Sequence, residues 1–257
     1  MPTHENNFPK LHNAAWPGVV GKGSPGAEPF IDLDTMLDLT AKAEVNGQKF
    51  DGVDLFLYDP HISIDIKDDG IKKLANKIKK KGFNVGSVVA PVWFDASAMG
   101  DQAQRKGWVE HVRKPCRIAQ NLRELGVRPT GVVRIDSAAG VEGWSKDPKG
   151  NTKLIAKTFK EGAKVAKAHG ERLAAEGEIC WGGMHSWKWM VTLLEEVGEP
   201  KTVGFQADMA HTLLYTLGYN APEHRIVPKD FHWEPVIFHK AMQKLTKAQR
   251  PWTIDFH

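Results

Sequence analysis

Residues 52–92 read GVDLFLYDPHISIDIKDDGIKKLANKIKKKGFNVGSVVAPV and hold the clearest local pattern in the chain. The apolar runs 52–58 and 84–92 predict two buried strands. Between them, apolar residues within 71–81 recur at the spacing of one helix face, and Gly82 follows where a glycine ends a helix. A strand, a helix and a second strand in this order predict a βαβ unit with parallel strands.

The same alternation of short apolar runs and longer amphipathic runs continues along the chain. Further strands are predicted at 11–16, 131–135, 172–176, 202–207 and 251–257. Further helices are predicted at 32–45, 102–125, 152–169, 187–197, 211–217 and 235–248. Pro115 interrupts the helix at 102–125 and predicts a kink or a break into two helices. No internal repeat, low-complexity tract or linker is visible, so we expect a single domain over residues 1–257.

The last run, PWTIDFH at 251–257, reads as a strand that no helical pattern follows. Seven strands with intervening helices predict an α/β protein of the (β/α)₈ TIM-barrel type that lacks the last strand and helix. An open parallel sheet is the alternative, but its edge would expose unpaired backbone groups. We therefore expect a truncated barrel.

Composition excludes several classes of protein. The chain has 257 residues, of which 41% are hydrophobic and 26% charged, as in ordinary globular proteins. Its net charge is +4 with the lysines spread out, whereas nucleic-acid binding needs a concentrated basic stripe. No 18-residue apolar run and no signal peptide are present, so we expect a cytoplasmic protein without membrane contact. We expect Cys116 and Cys180 to be reduced thiols.

Acidic and imidazole side chains follow three consecutive predicted strands, at the ends where TIM barrels place functional residues. The fifth strand ends in Glu176, with Glu178 two residues on; Asp208 and His211 follow the sixth; the seventh ends in His257. One such residue is usually just a hydrogen-bonded polar group. Three neighbouring strand ends predict a site for Mn²⁺, Mg²⁺, Co²⁺ or Zn²⁺, which accept carboxylate and imidazole ligands.

This ordered set resembles the xylose-isomerase-like TIM-barrel superfamily of sugar isomerases and epimerases, which also contains endonuclease IV. The resemblance extends over about residues 10–257. It rests on RLAAE at 172–176, on the Asp-x-x-His motif at 208–211 and on His257. Each motif is short, and their order and strand context make the resemblance more specific than any one of them.

The resemblance implies a divalent metal bound by Glu176, Asp208 and His257. It also implies that Glu176 is a catalytic acid or base and that His211 hydrogen-bonds a substrate oxygen. The fourth ligand of the group is a glutamate on the eighth strand, which this sequence lacks. Glu178 is the alternative to Glu176, because alternation along a strand places both on the same face.

Several loop residues are further candidates for contact with a substrate. Trp16 and Trp93 lie at the ends of the first and third predicted strands, and their flat rings suit stacking on sugar rings. His185 lies in a glycine-containing loop after the fifth strand. His232 is the alternative to His257 as a metal ligand.

The implied function is a metal-dependent isomerase or epimerase of a sugar or sugar derivative, working by proton transfer through a metal-stabilised enediolate. The alternatives are a lyase or hydratase of keto-sugars or keto-glycosides on the same fold, and a non-catalytic sugar-binding barrel. An endonuclease IV-like enzyme would require additional histidines at the early strands, where only His61 is near, and a basic patch. A small sugar is the expected partner, and barrels of this group often form homo-oligomers.

Overall fold

The structure is a computed structural model that describes residues 10–15, 30–89, 92–93 and 95–257. Trp16 and the predicted loop at 17–29 lie outside the described residues. The chain divides into two compact units. One comprises Met1–Val89 with Ile118–Gly131, and the other comprises Ala90–Arg117 with Val132–His257.

Strands and helices alternate along the described chain, as predicted. The strands are β1 (His12–Ala15), β2 (Glu44–Val45), β3 (Gln48–Lys49), β4 (Gly52–Phe56), β5 (Asn84–Val89), β6 (Val133–Ile135), β7 (Leu173–Glu176), β8 (Val203–Ala207) and β9 (Thr253–Phe256). The helices are α1 (Leu33–Lys42), α2 (Asp68–Lys80), α3 (Gln102–Glu124), α4 (Val141–Trp144), α5 (Pro148–Ala168), α6 (Trp187–Val197), α7 (Met209–Leu217) and α8 (Pro235–Gln249), with a 3₁₀ helix at Pro222–His224.

The first unit contains the predicted βαβ pattern. Strand β4 pairs in parallel with β1 on one side and with β5 on the other. All five residues of β4 are buried, as expected for a parallel strand covered on both faces. Helix α2 buries its apolar stripe and exposes its lysines, and Gly82 follows it with a φ of +74°, a conformation that favours glycine.

The second unit contains four parallel strands, in which β7 pairs with β6 and β8, and β8 pairs with β9. Strands β6, β7 and β8 are buried throughout. The core between helices and sheet includes Trp108 of α3 and Phe159 of α5, whose rings stack with centroids 5.0 Å apart. Because the four strands are parallel, their carboxyl ends lie at one edge, where the predicted site residues follow.

Helix α3 corrects one expectation. It continues without a break from Gln102 to Glu124, so the division into two helices at Pro115 is wrong, and the alternative, a kink, stays a prediction. Proline removes one helical hydrogen bond. The apolar face of α3, including the fully buried Trp108, Val112 and Leu122, stabilises the helix on both sides of Pro115 and offsets that loss.

Three short elements were not predicted: a hairpin, the helix α4 and the 3₁₀ helix at Pro222–His224. A two-stranded antiparallel hairpin, β2 with β3, turns at Asn46-Gly47, where both residues have positive φ. Asn-Gly is the characteristic sequence of such a turn, but the strands of two residues each are too short to show alternation. The single-turn helix α4 follows β6 and is likewise too short for periodicity to reveal.

The seven parallel strands of the two units, counted within the described residues, agree with the predicted α/β class. The expectation of one domain stays a prediction. Among the residues described, no helix has both the length and the apolar character needed to cross a bilayer. Cys116 is buried, Cys180 is exposed, and no disulfide joins them.

Candidate metal centre

Three predicted ligands converge at the carboxyl ends of neighbouring strands in the second unit. Glu176 is the last residue of β7, Asp208 follows β8 and His257 follows β9. Parallel pairing sets Glu176 beside Gln206, and Ala207 beside Phe256. The register of the three strands therefore brings the three side chains to one place, although they are far apart in the chain.

The distances from His257 to the two carboxylates fit ligands of a single cation. Nδ1 of His257 lies 3.9 Å from Oε1 of Glu176 and 3.8 Å from Oδ2 of Asp208. One donor atom from each residue lies within 4.8 Å of the others. Two ligands that each sit about 2.1 Å from a metal are separated by at most about 4.2 Å, so both distances to His257 fall inside that range.

Asp208 also begins helix α7. Its Oδ1 accepts the backbone N–H of His211 at 2.9 Å, which is the hydrogen bond of an N-cap. Burial favours the neutral carboxyl, but the attraction to His257 and the hydrogen bond from His211 outweigh it and lower the pKa of Asp208 to about 2. Asp208 is therefore an anion at neutral pH, as a metal ligand must be.

A buried arginine lies against the acidic residues. Arg134, on β6, is 4% exposed, and its Nη2 contacts Oε2 of Glu176 and lies 2.8 Å from Oε1 of Glu178. Its Nη1 lies 3.4 Å from Oδ2 of Asp136, which has no exposed surface. Burial raises the pKa of Glu176, and the Arg134 charge opposes that rise. One guanidinium thus meets three carboxylates.

The charges of this cluster are unbalanced. Three carboxylates pair with Arg134, Asp208 adds a fourth beside His257, and burial raises the pKa of Asp136 to about 7 although Arg134 opposes the rise. Buried carboxylates without a matching cation are unfavourable. A divalent cation between Glu176, Asp208 and His257 would reduce the excess of negative charge, so the donor set and its charge fit a metal.

Glu178, the alternative ligand, is already engaged through both of its oxygens. Oε1 pairs with Arg134, and Oε2 accepts the Cys180 thiol with Sγ at 3.4 Å. Glu176, by contrast, directs Oε1 towards His257 and uses only Oε2 for Arg134. The geometry favours Glu176 over Glu178 as the ligand.

The two histidines outside the first donor set differ in position. His211 has a buried Nδ1 without a hydrogen-bond partner among the described residues, and it forms a second donor set with Glu176 and Glu178. An unpaired imidazole nitrogen at this place suits a hydrogen bond to a substrate. His232 is exposed and belongs to neither donor set, so the geometry favours His257 over His232 as a ligand.

Two tryptophans stand beside the acidic cluster. The Arg134 guanidinium lies 5.5 Å from the centre of the Trp93 ring, and Trp93 stacks with Trp181 at 6.3 Å and 25°. Trp93 was predicted to contact a substrate; the structure places its ring against Arg134, which contacts Glu176, and the contact with a substrate stays a prediction. Trp16, the other predicted tryptophan, lies outside the described residues.

His185, also predicted to contact a substrate, is packed in the interior. It is 3% exposed, and its ring meets Trp144 edge-on at 4.8 Å. Burial lowers the pKa of His185, so its neutral form is favoured. These surroundings favour a packing role, and its contact with a substrate stays a prediction.

Sequence reasoning did not select Arg134 or Trp181 as site residues. A signal for Arg134 exists in GVVRI at 131–135, where one charged residue interrupts a buried apolar run. A charge at such a position requires buried partners. For Trp181, the signal is a bulky ring between Glu178 and the Gly182-Gly183 pair in a loop at the site.

Comparison with known proteins gives one family and a set of similar folds. Residues 41–240 match the family described as "Xylose isomerase-like TIM barrel". No curated protein matches the chain. The matched range includes Glu176, Asp208 and His211, and His257 lies beyond it.

Among solved structures, a D-tagatose 3-epimerase-like protein is similar with a TM-score of 0.55, 17% identity, and coverage of 82% of this chain and 67% of the other. A xylose isomerase-like TIM barrel protein from Mycobacterium smegmatis in complex with magnesium has a TM-score of 0.58, 13% identity, and coverage of 87% and 65%. An AP endonuclease, family 2, from Brucella melitensis has a TM-score of 0.57, 13% identity, and coverage of 97% and 92%. At these identities the similarity establishes the fold alone.

Proposed function

Because the chain belongs to the xylose isomerase-like TIM barrel family, we propose that it is a divalent-metal-dependent isomerase or epimerase of a sugar or sugar derivative. The convergence of Glu176, Asp208 and His257 at one sheet edge carries the proposal. The similar structures support it, since one is a D-tagatose 3-epimerase-like protein and another holds magnesium.

Glu176, Asp208 and His257 would hold the metal. A bound divalent cation polarises a carbonyl group and makes the adjacent carbon more acidic. Mn²⁺, Mg²⁺, Co²⁺ and Zn²⁺ all accept this mixture of carboxylate and imidazole ligands. The experiment described below therefore uses each of the four metals in turn.

Glu176 and His211 would act on the substrate. In an isomerase or epimerase of this kind, a base removes the proton from the carbon next to the carbonyl, and an acid returns a proton to form the product. Glu176 would be the acid or base that exchanges this proton, because its carboxylate lies at the proposed metal beside His257. The half-buried imidazole of His211, which lies beside Glu176 and Glu178, would hydrogen-bond a substrate oxygen and orient it.

Trp93 and Trp181 would form a wall of the sugar pocket. A tryptophan ring offers a wide apolar face to the C–H groups of a sugar, and the Trp93 ring lies against Arg134, which contacts the proposed ligand Glu176. The sequence predicted Trp93 alone. Because Trp181 stacks on Trp93, we assign both rings to this wall.

Hydrogen exchange into a panel of free ketoses and aldoses tests this function. The protein is loaded in turn with each of the four metals and incubated with each sugar in D₂O, and NMR follows deuterium next to the carbonyl together with new epimers or isomers. We expect exchange with at least one sugar and its loss with EDTA. His257→Ala should abolish exchange, and His232→Ala, its matched control, should retain it.

Other outcomes of the same experiment would identify the alternative functions. Loss of a substituent next to the deuterated carbon would indicate a lyase or hydratase. Sugar binding without exchange would indicate a binding barrel, and metal-dependent cleavage of abasic-site DNA without sugar exchange would indicate a nuclease. A cytoplasmic location, a homo-oligomeric state and the absence of a nucleic-acid partner stay predictions.

A further inference from the structure

The position of Arg134 is unusual for a metal site, because its positively charged guanidinium lies against Glu176, which should bind a metal cation. Its guanidinium contacts Oε2 of Glu176, and Oε1 of the same carboxylate faces His257. The same Nη2 lies 2.8 Å from Glu178. A guanidinium presents its N–H groups in a rigid plane, so it can hold two carboxylates in a defined relation.

We propose that Arg134 is a positioning residue of the metal site, which holds Glu176 so that only its Oε1 reaches the metal and holds Glu178 outside the coordination set. This inference rests on the proposed metal-dependent function. On this proposal Arg134 determines which of two possible sets of ligands binds the metal.

The choice arises because two donor sets overlap. Glu176 belongs to one set with Asp208 and His257, and to another with Glu178 and His211. A metal bound by Glu178 would have to share that carboxylate with the Arg134 cation and the Cys180 thiol, which weakens Glu178 as a ligand. Holding Glu178 therefore selects the set that contains Asp208 and His257, and it leaves His211 available for a substrate.

Arg134 is itself held in place from its other side. Asp136 pairs with Nη1, and its own Oδ1 accepts the backbone N–H of Ala138 at 2.8 Å. The Trp93 ring covers the guanidinium at 5.5 Å. A side chain that is 4% exposed and contacted on several sides has little freedom to move, which is what a positioning role requires.

Two roles for Arg134 predict opposite effects on metal affinity. If Arg134 were only a neighbouring positive charge, its removal would relieve repulsion and tighten metal binding. If Arg134 orients the ligand, its removal weakens binding, because partners that orient metal ligands typically contribute about 10-fold to 100-fold in affinity. The direction of the change therefore distinguishes the two.

The experiment measures Mn²⁺ dissociation constants of the full chain by isothermal titration calorimetry. Arg134→Met should weaken binding by about 10-fold to 100-fold. Arg134→Lys keeps the charge and loses the planar fork, so it should lie between Arg134→Met and the unsubstituted protein. The matched control is Arg128→Met, which removes another buried arginine. Arg128 lies in the first unit, where its Nε donates to the carbonyl of Gly86 at 2.8 Å. We expect this variant to leave the Mn²⁺ affinity unchanged.

Spectroscopy adds a readout that a merely structural role would not change. The visible absorption spectrum of bound Co²⁺ reports its ligand set, so Glu178→Gln should leave the spectrum unchanged if Glu178 lies outside that set. A changed spectrum in Glu178→Gln would overturn the proposal. If Arg134→Met does not fold, Arg134→Lys decides, because it retains a buried cation for the carboxylates.

The measurements distinguish a wrong role for Arg134 from a wrong assignment of the metal site. Absence of Mn²⁺ binding by the unsubstituted protein would overturn both. Loss of binding in Asp208→Ala together with unweakened binding in both Arg134 variants would overturn only the role of Arg134. Equal weakening in Arg134→Met and Arg128→Met would also overturn it, since the effect would then follow from general destabilisation.

Discussion

Nδ1 of His257 lies 3.8 Å from Oδ2 of Asp208, beyond hydrogen-bond distance and within the span of two ligands on one cation. The other oxygen of Asp208, Oδ1, accepts the backbone N–H of His211 at 2.9 Å and begins helix α7. One carboxylate therefore caps a helix through Oδ1 and faces His257 through Oδ2. Substitutions can separate these two roles.

Asp208→Asn and Asp208→Ala should lose metal affinity equally and differ in stability. Both variants lack the anionic ligand, so we expect the Mn²⁺ dissociation constant to rise at least about 100-fold in each. Asparagine still caps a helix, whereas alanine does not, so the alanine variant should be less stable than the asparagine variant by about 1 kcal/mol. Calorimetry and urea unfolding in EDTA measure the two quantities. Full Mn²⁺ affinity in Asp208→Asn would contradict the ligand assignment.

The metal-free protein should lose stability in acid through Asp208. Its pKa is lowered from 3.8 to about 2, so the stabilisation is present above pH 3.8 and disappears as the pH falls towards 2. The shift corresponds to about 2 kcal/mol in the free energy of unfolding. The difference in stability between the unsubstituted protein and Asp208→Asn, measured by urea unfolding in EDTA, should shrink by that amount between about pH 5 and pH 2. A difference that is constant across this range would show that Asp208 is not stabilised as an anion.

Trp181→Ala should weaken sugar binding with little effect on the chemical step. Loss of a stacking ring costs about 1 kcal/mol beyond the area it buries, so we expect KM for the sugar found by hydrogen exchange to rise about tenfold. We expect kcat to change less than about threefold, because a wall binds substrate and transition state alike. Trp181→Phe keeps an aromatic face and should retain most of the affinity. Trp233→Ala, which removes an exposed ring that contacts Phe231 and Phe238, serves as the control.

Gly177→Ala should disturb both the fold and the metal site. A Cβ at Gly177 would lie 2.2 Å from the Tyr215 hydroxyl oxygen and 2.9 Å from its ring carbon Cζ. Tyr215 is buried, and its hydroxyl donates to the carbonyl of Met184, so the ring cannot move freely. Overpacking of this kind costs about 1–3 kcal/mol, which thermal or urea unfolding would detect.

The same substitution should also weaken Mn²⁺ binding, because Gly177 separates Glu176 from Glu178. The matched control is Gly140→Ala, where no heavy atom lies within 4 Å of the added Cβ and φ is −66°. We expect that variant to change stability by less than about 0.5 kcal/mol. Equal effects of the two alanines would show that the contact with Tyr215 is not what matters.

The fold was largely predictable because its signals are local. The stripe of apolar residues in α2, the buried runs of β4 and β5 and the glycine after α2 each follow from spacing within a few residues. The errors came where local preference and packing compete. Pro115 disfavours a helix interior, but the buried face of α3 keeps the helix continuous.

The order of strands and helices, and the carboxylates and histidines at the strand ends, could be predicted from local patterns, because hydrophobic periodicity and residue type are properties of neighbouring positions. Which of these groups already have partners became visible only in the folded chain. Arg134 contacts Glu178 and Oε2 of Glu176, and Oε1 of Glu176 faces His257. That outcome depends on the register of β6, β7, β8 and β9 and on the reach of a long side chain across strands, which no local pattern in the chain encodes.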